Sequence, residues 1–213
     1  MKDIAICGAG GFGREVACLI NIINENNPTW NFIGFFDENL EKGLTNEYGE
    51  ILGGNNEINK WKNDLAIVIA IGSPIIINKV SRIITNPRIY FPNIIAPDFV
   101  MLDKNSFKMG KGNIIQIKCC NSCNVNIGDF NIFNGNNSIG HDTKIGSYNV
   151  FMPSVKISGG VEIGNRNFMG VSSVILQYLK MGDDVRVGAG SIIMRKTQDN
   201  TLYIGNPAVK MKF

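Results

Sequence analysis

The chain contains a single histidine, His141, followed at once by Asp142. An imidazole beside a carboxylate is suited to general-base work, such as taking the proton from an amine or hydroxyl as it attacks a thioester. The same pair also fits an ordinary solvated surface, and by itself it leaves both readings open. A second feature is the run Gly8-Ala9-Gly10-Gly11-Phe12-Gly13, of the form G-x-G-x-x-G. It follows an apolar strand and opens a helix, so its backbone N–H groups are placed to hold a phosphate. Asp37 stands at the end of the next strand, where it is able to accept hydrogen bonds from a ribose or a base. With Glu38 and Gly72 it joins Gly10, Gly11 and Phe12 as candidate substrate-binding residues; a glycine turn kept only for close packing is the competing reading.

The elements that carry these residues differ between the two halves. From Met109 to Ile193, every sixth residue is apolar except Asn121. A helix repeats near 3.6 residues and a half-buried strand near 2, so a six-residue beat held over about ninety residues is the mark of a solenoid. Three hexads per coil make a triangular prism of about five coils, stacked roughly 4.8 Å apart. The residue after the apolar one is often Gly (110, 128, 140, 146, 164, 170, 182, 188), read as a corner exploiting permissive φ. His141 falls third in its hexad, near a corner, with its side chain outward.

Upstream the beat vanishes. Strands are expected at 3–7, 31–36, 65–71 and within 88–95, with helices at 12–23 and 74–84, which implies a small parallel α/β sheet. The boundary is placed at residues 1–98 and 99–213. About ninety residues supply one mononucleotide half rather than the two that a dinucleotide spans, so a nucleotide with a projecting sugar suits the site better than NAD.

Composition narrows the class. A net charge of +3 on 213 residues, with no dense basic block, argues against nucleic acid. No apolar run approaches the roughly 18 residues of a membrane span, and the N-terminus reads as a strand rather than a leader. The expectation is a cytoplasmic protein. Five cysteines without a secretory signal argue against a disulfide framework. Cys120-Asn121-Ser122-Cys123 lacks a second ligand pair, so no metal site is assigned and both cysteines are expected to pack in the first coils.

Hexads followed by the tail Tyr203-Ile204-Gly205-Asn206-Pro207-Ala208-Val209-Lys210 resemble the left-handed parallel β-helix of hexapeptide-repeat acyltransferases. With the glycine-loop domain in front, the whole chain resembles the bacterial sialic-acid O-acetyltransferase and pilin-glycan N-acetyltransferase group. That resemblance implies acetyl-CoA as co-substrate, a nucleotide-activated sugar as acceptor, a homotrimer, and a direct transfer. It assigns the base to His141 with Asp142 behind it, the acceptor site to Asn134, and backbone contacts to acetyl-CoA to Gly159, Val171 and Ala189. Lys196, Lys210 and Lys212 are candidates to meet the coenzyme's phosphates, with an ordinary solvated surface lysine the favoured reading of any one of them. The activity it implies is N-acetylation of the 4-amino group of an amino-dideoxy sugar for surface-glycan synthesis. O-acetylation of a sugar, a dinucleotide-dependent oxidoreductase and a nucleotide-sensing scaffold are the alternatives. Phe12 stands where many relatives have a histidine, and Val150 where some have a second one; these bear on nucleotide specificity and on one coenzyme contact.

Overall fold

The computed structural model describes residues 1–211, so Lys212 lies outside the described residues. The chain divides into two compact units, Met1–Pro97 and a second beginning at Asp98.

The first unit is a parallel sheet of β1 (Lys2–Cys7), β2 (Trp30–Phe36), β3 (Ile51–Gly53), β4 (Leu65–Ile69) and β5 (Ile89–Tyr90), in the order β3-β2-β1-β4-β5. The helices are α1 (Gly11–Asn26), α2 (Asn55–Asn59) and α3 (Pro74–Ile83). β4 reads Leu-Ala-Ile-Val-Ile and is buried throughout, as a central parallel strand covered on both faces must be. α1 buries Val16, Ala17, Leu19 and Ile20, a stripe at helical spacing. The strand order reverses between β1 and β4, which opens a crevice beyond their C-terminal ends. β3 and α2 escaped the sequence reading because three and five residues are too short to show a period. Among the described residues no helix is long and apolar enough to cross a membrane.

The second unit is a three-faced parallel solenoid. One face stacks Val100–Met101, Cys120–Asn121, Ser138–Ile139, Lys156–Ile157, Val174–Ile175 and Ile192–Ile193. The next stacks Lys108–Met109, Asn126–Ile127, Lys144–Ile145, Glu162–Ile163 and Lys180–Met181. The third includes Ile114–Ile115, Ile132–Phe133, Val150–Phe151, Phe168–Met169, Arg186–Val187 and Leu202–Gly205. The repeat therefore reaches beyond both ends of the six-residue beat. Val100 pairs with Cys120 rather than with residue 118, and Arg186 with Leu202 rather than with residue 204. Those changes in coil length hide the first and last rungs from a strict period.

The expected inward row is buried from Ile115 to Ile193, and Phe133 stacks on Phe151 with ring centroids 4.6 Å apart. Asn121 takes the same inward place, 1 % exposed. The role assigned to the glycines needs correction. None of Gly110, Gly128, Gly140, Gly146, Gly164, Gly170, Gly182 and Gly188 has positive φ. The left-handed corner residue lies two places later and is usually not glycine, for example Asn124, Asp142, Arg166 and Tyr178 at φ 56 to 60°. The glycines are there for close approach: a Cβ on Gly128, Gly146 or Gly164 would meet the carbonyl of the glycine one coil on.

Two side-chain ladders stitch one corner. Inside, the N–H groups of Asn131, Asn149, Asn167 and Val185 donate to the Oδ1 of Asn113, Asn131, Asn149 and Asn167, at 2.7 to 2.9 Å. Outside, the ladder runs the other way: the N–H groups of Lys111, Asp129, Ser147, Asn165 and Asp183 donate to side-chain oxygens of Asp129, Ser147, Asn165, Asp183 and Asp199. Asn149→Ala removes the partners of the Asn167 N–H and, through Nδ2, of the Gly164 carbonyl. Chemical denaturation is expected to show a loss of about 3 kcal/mol, the cost of orphaning buried polar groups. A loss under about 1 kcal/mol would mean that the ladder is not a stabilising element.

Candidate functional site

His141 and Asp142 form one step of a corner column that also contains Cys123 and Asn124 below, and Gly159-Gly160 and Gln177-Tyr178 above. Backbone bonds set this stack: Asp142 N–H to Cys123 O at 3.1 Å, Gly160 N–H to His141 O at 2.7 Å, and Tyr178 N–H to Gly159 O at 3.0 Å. The left-handed φ of 58° at Asp142 turns the corner. Nδ1 of His141 lies 2.7 Å from Oδ2 of Asp142, and Asn124 Nδ2 donates to the other carboxylate oxygen at 2.7 Å. The bond to His141 first, and that to Asn124 second, hold the Asp142 carboxyl below its usual range. An ionised Asp142 accepts from Nδ1–H, which leaves the Nε2 lone pair free as a base. Both side chains are about half exposed.

Gly159 completes the arrangement. The imidazole leans one coil up and lies across it, so that a Cβ on Gly159 would collide with Nε2. The N–H of Gly159 also has no hydrogen-bond partner among the described residues, nor do those of His141, Val171 and Ala189. The contrast with the stitched corner is chemical. There a Ser, Asn or Asp oxygen satisfies the equivalent N–H in each coil; here Cys, His, Gly and Gln occupy that place, or Pro, Val and Ala. Val171 and Ala189 share a different corner from His141, joined by the Gly190 N–H to Val171 O bond of 2.8 Å. Pro153 has no N–H, so it interrupts the row of free donors on that corner, which resumes at Val171. A side chain on Gly170 would run into the Ala189 nitrogen, which its absence leaves open.

Other sequence-marked residues are placed as follows. Asn134 is 8 % exposed, and its amide donates to Phe151 O in the next coil at 3.0 Å, so it packs against that coil on a corner other than that of His141. Lys210 Nζ donates to Gln198 at 2.8 Å, and Lys196 is exposed. Cys119 packs inside, where burial pushes its thiol up to about 11. Cys123 does not pack: it is exposed, one coil below His141, because its position is a corner. Among the described residues no group of three or more His, Cys, Asp or Glu side chains is placed to hold a metal.

In the first unit the glycines divide into two kinds. Gly8 has φ +105° with Ala70 O where a Cβ would go, and Gly13 rests on Gly8 O, so the fold needs both. Gly10, Gly11 and Gly72 have open space above them and φ values any residue adopts. All three lie at the C-terminal ends of β1 and β4, the switch point. α1 begins there with no side-chain cap and no acidic residue in its first turn, leaving its N-terminal N–H groups to an anion. Phe12 is half-buried in that turn. Asp37 holds the loop: Oδ2 accepts Ala9 N–H and Oδ1 accepts Asn39 N–H, both at 2.9 Å. Glu38 accepts Asn55 N–H at 2.5 Å at the start of α2. Asn124, Gly160 and Tyr178 went unnoticed in the sequence. Their signal is the spacing of one coil from Asp142, and of one further coil from Gly160 to Tyr178.

Residues 3–84 match the model of the PglD N-terminal domain. A search of the curated proteins finds no match. Among solved structures, WeeI from Acinetobacter baumannii is 26% identical over 99% of this chain and 100% of its own, with a TM-score of 0.88. The acetyltransferase domain of PglB from Neisseria gonorrhoeae is 24% identical, covering 99% and 100%, at 0.87. PerB from Caulobacter crescentus, solved with CoA and GDP-perosamine, is 23% identical, covering 100% and 98%, at 0.85. The two-part architecture and the resemblance read from the sequence are borne out.

With one histidine in the chain, the tautomer is open to direct measurement. A long-range 15N–1H spectrum, taken with the imidazole neutral, is expected to show the Nδ1–H form, with Nε2 unprotonated. Asp142→Ala should move the population toward Nε2–H, the form favoured without a partner at Nδ1. An unchanged spectrum in that variant would mean that Asp142 does not orient the ring.

Proposed function

We propose that this chain, which begins with a PglD N-terminal domain and has throughout the fold of sugar acetyltransferases of that group, transfers the acetyl group of acetyl-CoA to a nucleotide-linked sugar. The acceptor is the 4-amino group of an amino-dideoxyhexose. The observation that carries this reading is the His141 imidazole, with Nδ1 bound to Asp142 and Nε2 directed at a bare glycine whose N–H is free. A base and an unengaged donor side by side are the two groups an acyl transfer to an amine requires. An amine rather than a hydroxyl acceptor is supported by the likeness to PerB, whose structure holds GDP-perosamine.

In the reaction, Nε2 of His141 takes a proton from the amine as its nitrogen lone pair attacks the thioester carbonyl carbon. Negative charge gathers on the carbonyl oxygen, and the Gly159 N–H is the donor placed to meet it. The C–S bond then breaks, the amide forms, and the imidazolium returns the proton to the leaving thiolate. Asp142 stabilises the imidazolium without taking its proton. The nucleotide's phosphates lie against Gly10, Gly11 and the start of α1, with Gly72 across the switch point and Asp37 and Glu38 framing the base and ribose.

The free donors also bear on assembly. Gly159 is on the corner of His141, whereas Val171 and Ala189 are on another corner of the same prism. A coenzyme that uses both sets lies between two prisms, one giving each corner, and three such grooves close a homotrimer. Surface-glycan synthesis in the cytoplasm is the setting in which such an acceptor is made.

The test is thiol release from acetyl-CoA against UDP-, dTDP- and GDP-linked 4-amino-4,6-dideoxyhexoses, with plain hexoses and sialic acid alongside. Turnover of an amino sugar is expected, with a loss of roughly 10² or more in His141→Ala. Turnover of hydroxyl acceptors only would make it an O-acetyltransferase, and turnover undiminished in His141→Ala would remove the proposed base. Gly159→Ala is expected to lower kcat by about 10² while the fold persists, since its Cβ displaces Nε2 from the reacting geometry.

A further inference from the structure

Followed upward from His141, the corner changes its chemistry coil by coil. Equivalent positions stand 18 residues apart, as Asn124 and Asp142 do. One coil above the imidazole is Gly159, bare and with a free N–H. The next step is apolar: Leu176 is 38 % exposed and Tyr178 71 %, the tyrosine ring leaning down over Gly160. The third is cationic, Arg195 followed by Lys196, both exposed. Their place on this corner is fixed from either side, by Leu176 N–H donating to Ile193 O at 3.1 Å and Thr197 N–H donating to Lys180 O at 3.3 Å.

The other described cations from residue 156 onward are engaged. Lys156 donates to Asn136 O, Arg166 pairs with Asp183 and Asp184, and Lys180 pairs with Glu162. Lys210 donates to Gln198, and Arg186 lies over the Phe168 ring. Among the described residues of this stretch, only Arg195 and Lys196 have side chains with no ion pair or hydrogen bond. Above Asp142 this corner has no carboxylate to neutralise them. Two neighbouring cations without a counter-charge are a place for an anion.

On the function proposed above, the coenzyme has its thioester at His141 and runs up this edge, because the free donors of Gly159, Val171 and Ala189 all lie above the level of the imidazole. From its sulfur to its first phosphorus is a chain of about thirteen bonds, roughly 15 Å when extended. Three coils rise about 14 Å. The pyrophosphate therefore arrives at Arg195, after the amides have passed a free N–H and the dimethyl carbon an apolar step. We propose that Arg195, with Lys196 beside it, is the phosphate anchor of the coenzyme, and that the corner is a ruler which sets the thioester at His141 by holding the pyrophosphate three coils away. A guanidinium suits the task, since its fork meets two phosphate oxygens at once.

Calorimetric titration with CoA tests the anchor without any acceptor. Arg195→Ala is expected to weaken CoA by about tenfold or more, the scale of a lost charge-assisted contact, and Arg195→Lys to recover part of it. Both side chains are exposed, so the variants should melt as wild type does. In turnover of the panel's best acceptor, Arg195→Ala should raise KM for acetyl-CoA by a similar factor and leave KM for the sugar nucleotide within about twofold. With acetyl-pantetheine, which has no phosphate, the difference between wild type and variant should vanish. With acetyl-dephospho-CoA, which lacks only the 3′-phosphate, the difference should persist; its disappearance would assign the contact to the 3′-phosphate and overturn the ruler. Unchanged CoA affinity in Arg195→Ala, or an equal loss with acetyl-pantetheine, would overturn the anchor. An active wild type whose Arg195→Ala variant binds CoA normally refutes the anchor alone, whereas a wild type that binds no CoA refutes the acetyltransferase reading on which it rests.

Discussion

The parallel pairing of each strand with its equivalent one coil away governs the rest of the second unit. It sets the vertical distance between coils at the spacing of hydrogen-bonded strands, roughly 4.8 Å. At that distance a side chain at the turn has nowhere to go except inward, outward or against its neighbour above or below. Glycine columns such as Gly128, Gly146 and Gly164 follow from this: each leaves room for the carbonyl of the next. The same spacing makes residues one coil apart contacts, which is why Asp142 meets Asn124 and why His141 reaches Gly159.

Each corner leaves one backbone N–H per coil with no place in the sheet ladders. A buried or half-buried donor must find a partner, and the corners differ in how they provide it. Where the turn residue is Ser, Asn or Asp, its side-chain oxygen satisfies the coil next to it, and the corner is closed chemistry. Where it is Cys, His, Gly, Val or Ala, the donor stays available. The catalytic potential of this solenoid is thus a pattern of omission: two corners keep their donors, and on one of them the imidazole lies beside such a donor. Asp142 is held ionised by two hydrogen bonds at the one place where an oriented neutral imidazole is useful.

In the first unit the constraint is the reversal of strand order between β1 and β4. It separates the loops that follow these two strands and leaves the space over Gly10, Gly11 and Gly72 open. Gly8 and Gly13 hold the loop close to its neighbours; the other glycines hold nothing, and their bareness is useful only to a ligand. Asp37 ties the loop to the end of β2 through the Ala9 N–H, so its contribution to a ligand is first to shape the loop. Cys7 lies just beneath, where burial foremost, with Asp37 and Glu38 adding, pushes its thiol up to about 12; it packs and does not react.

What the sequence determined by itself was everything that repeats or is local. The six-residue beat dictated a prism because no other regular structure buries every sixth residue. The adjacency of His141 and Asp142, and the glycine loop between an apolar strand and a helix, marked both candidate sites. The first and last rungs escaped because a turn of altered length shifts the beat without breaking the sheet. Tertiary structure alone decided the rest. Which N–H groups are free depends on the residue one coil away. Whether the glycines after the apolar rung serve φ or close approach, whether Asn134 faces outward or packs against the next coil, and where Tyr178 leans depend on which neighbour stands one coil away. These are contacts between residues far apart in the chain and a few ångströms apart in space, and a period shows that they are neighbours without showing which way each side chain turns.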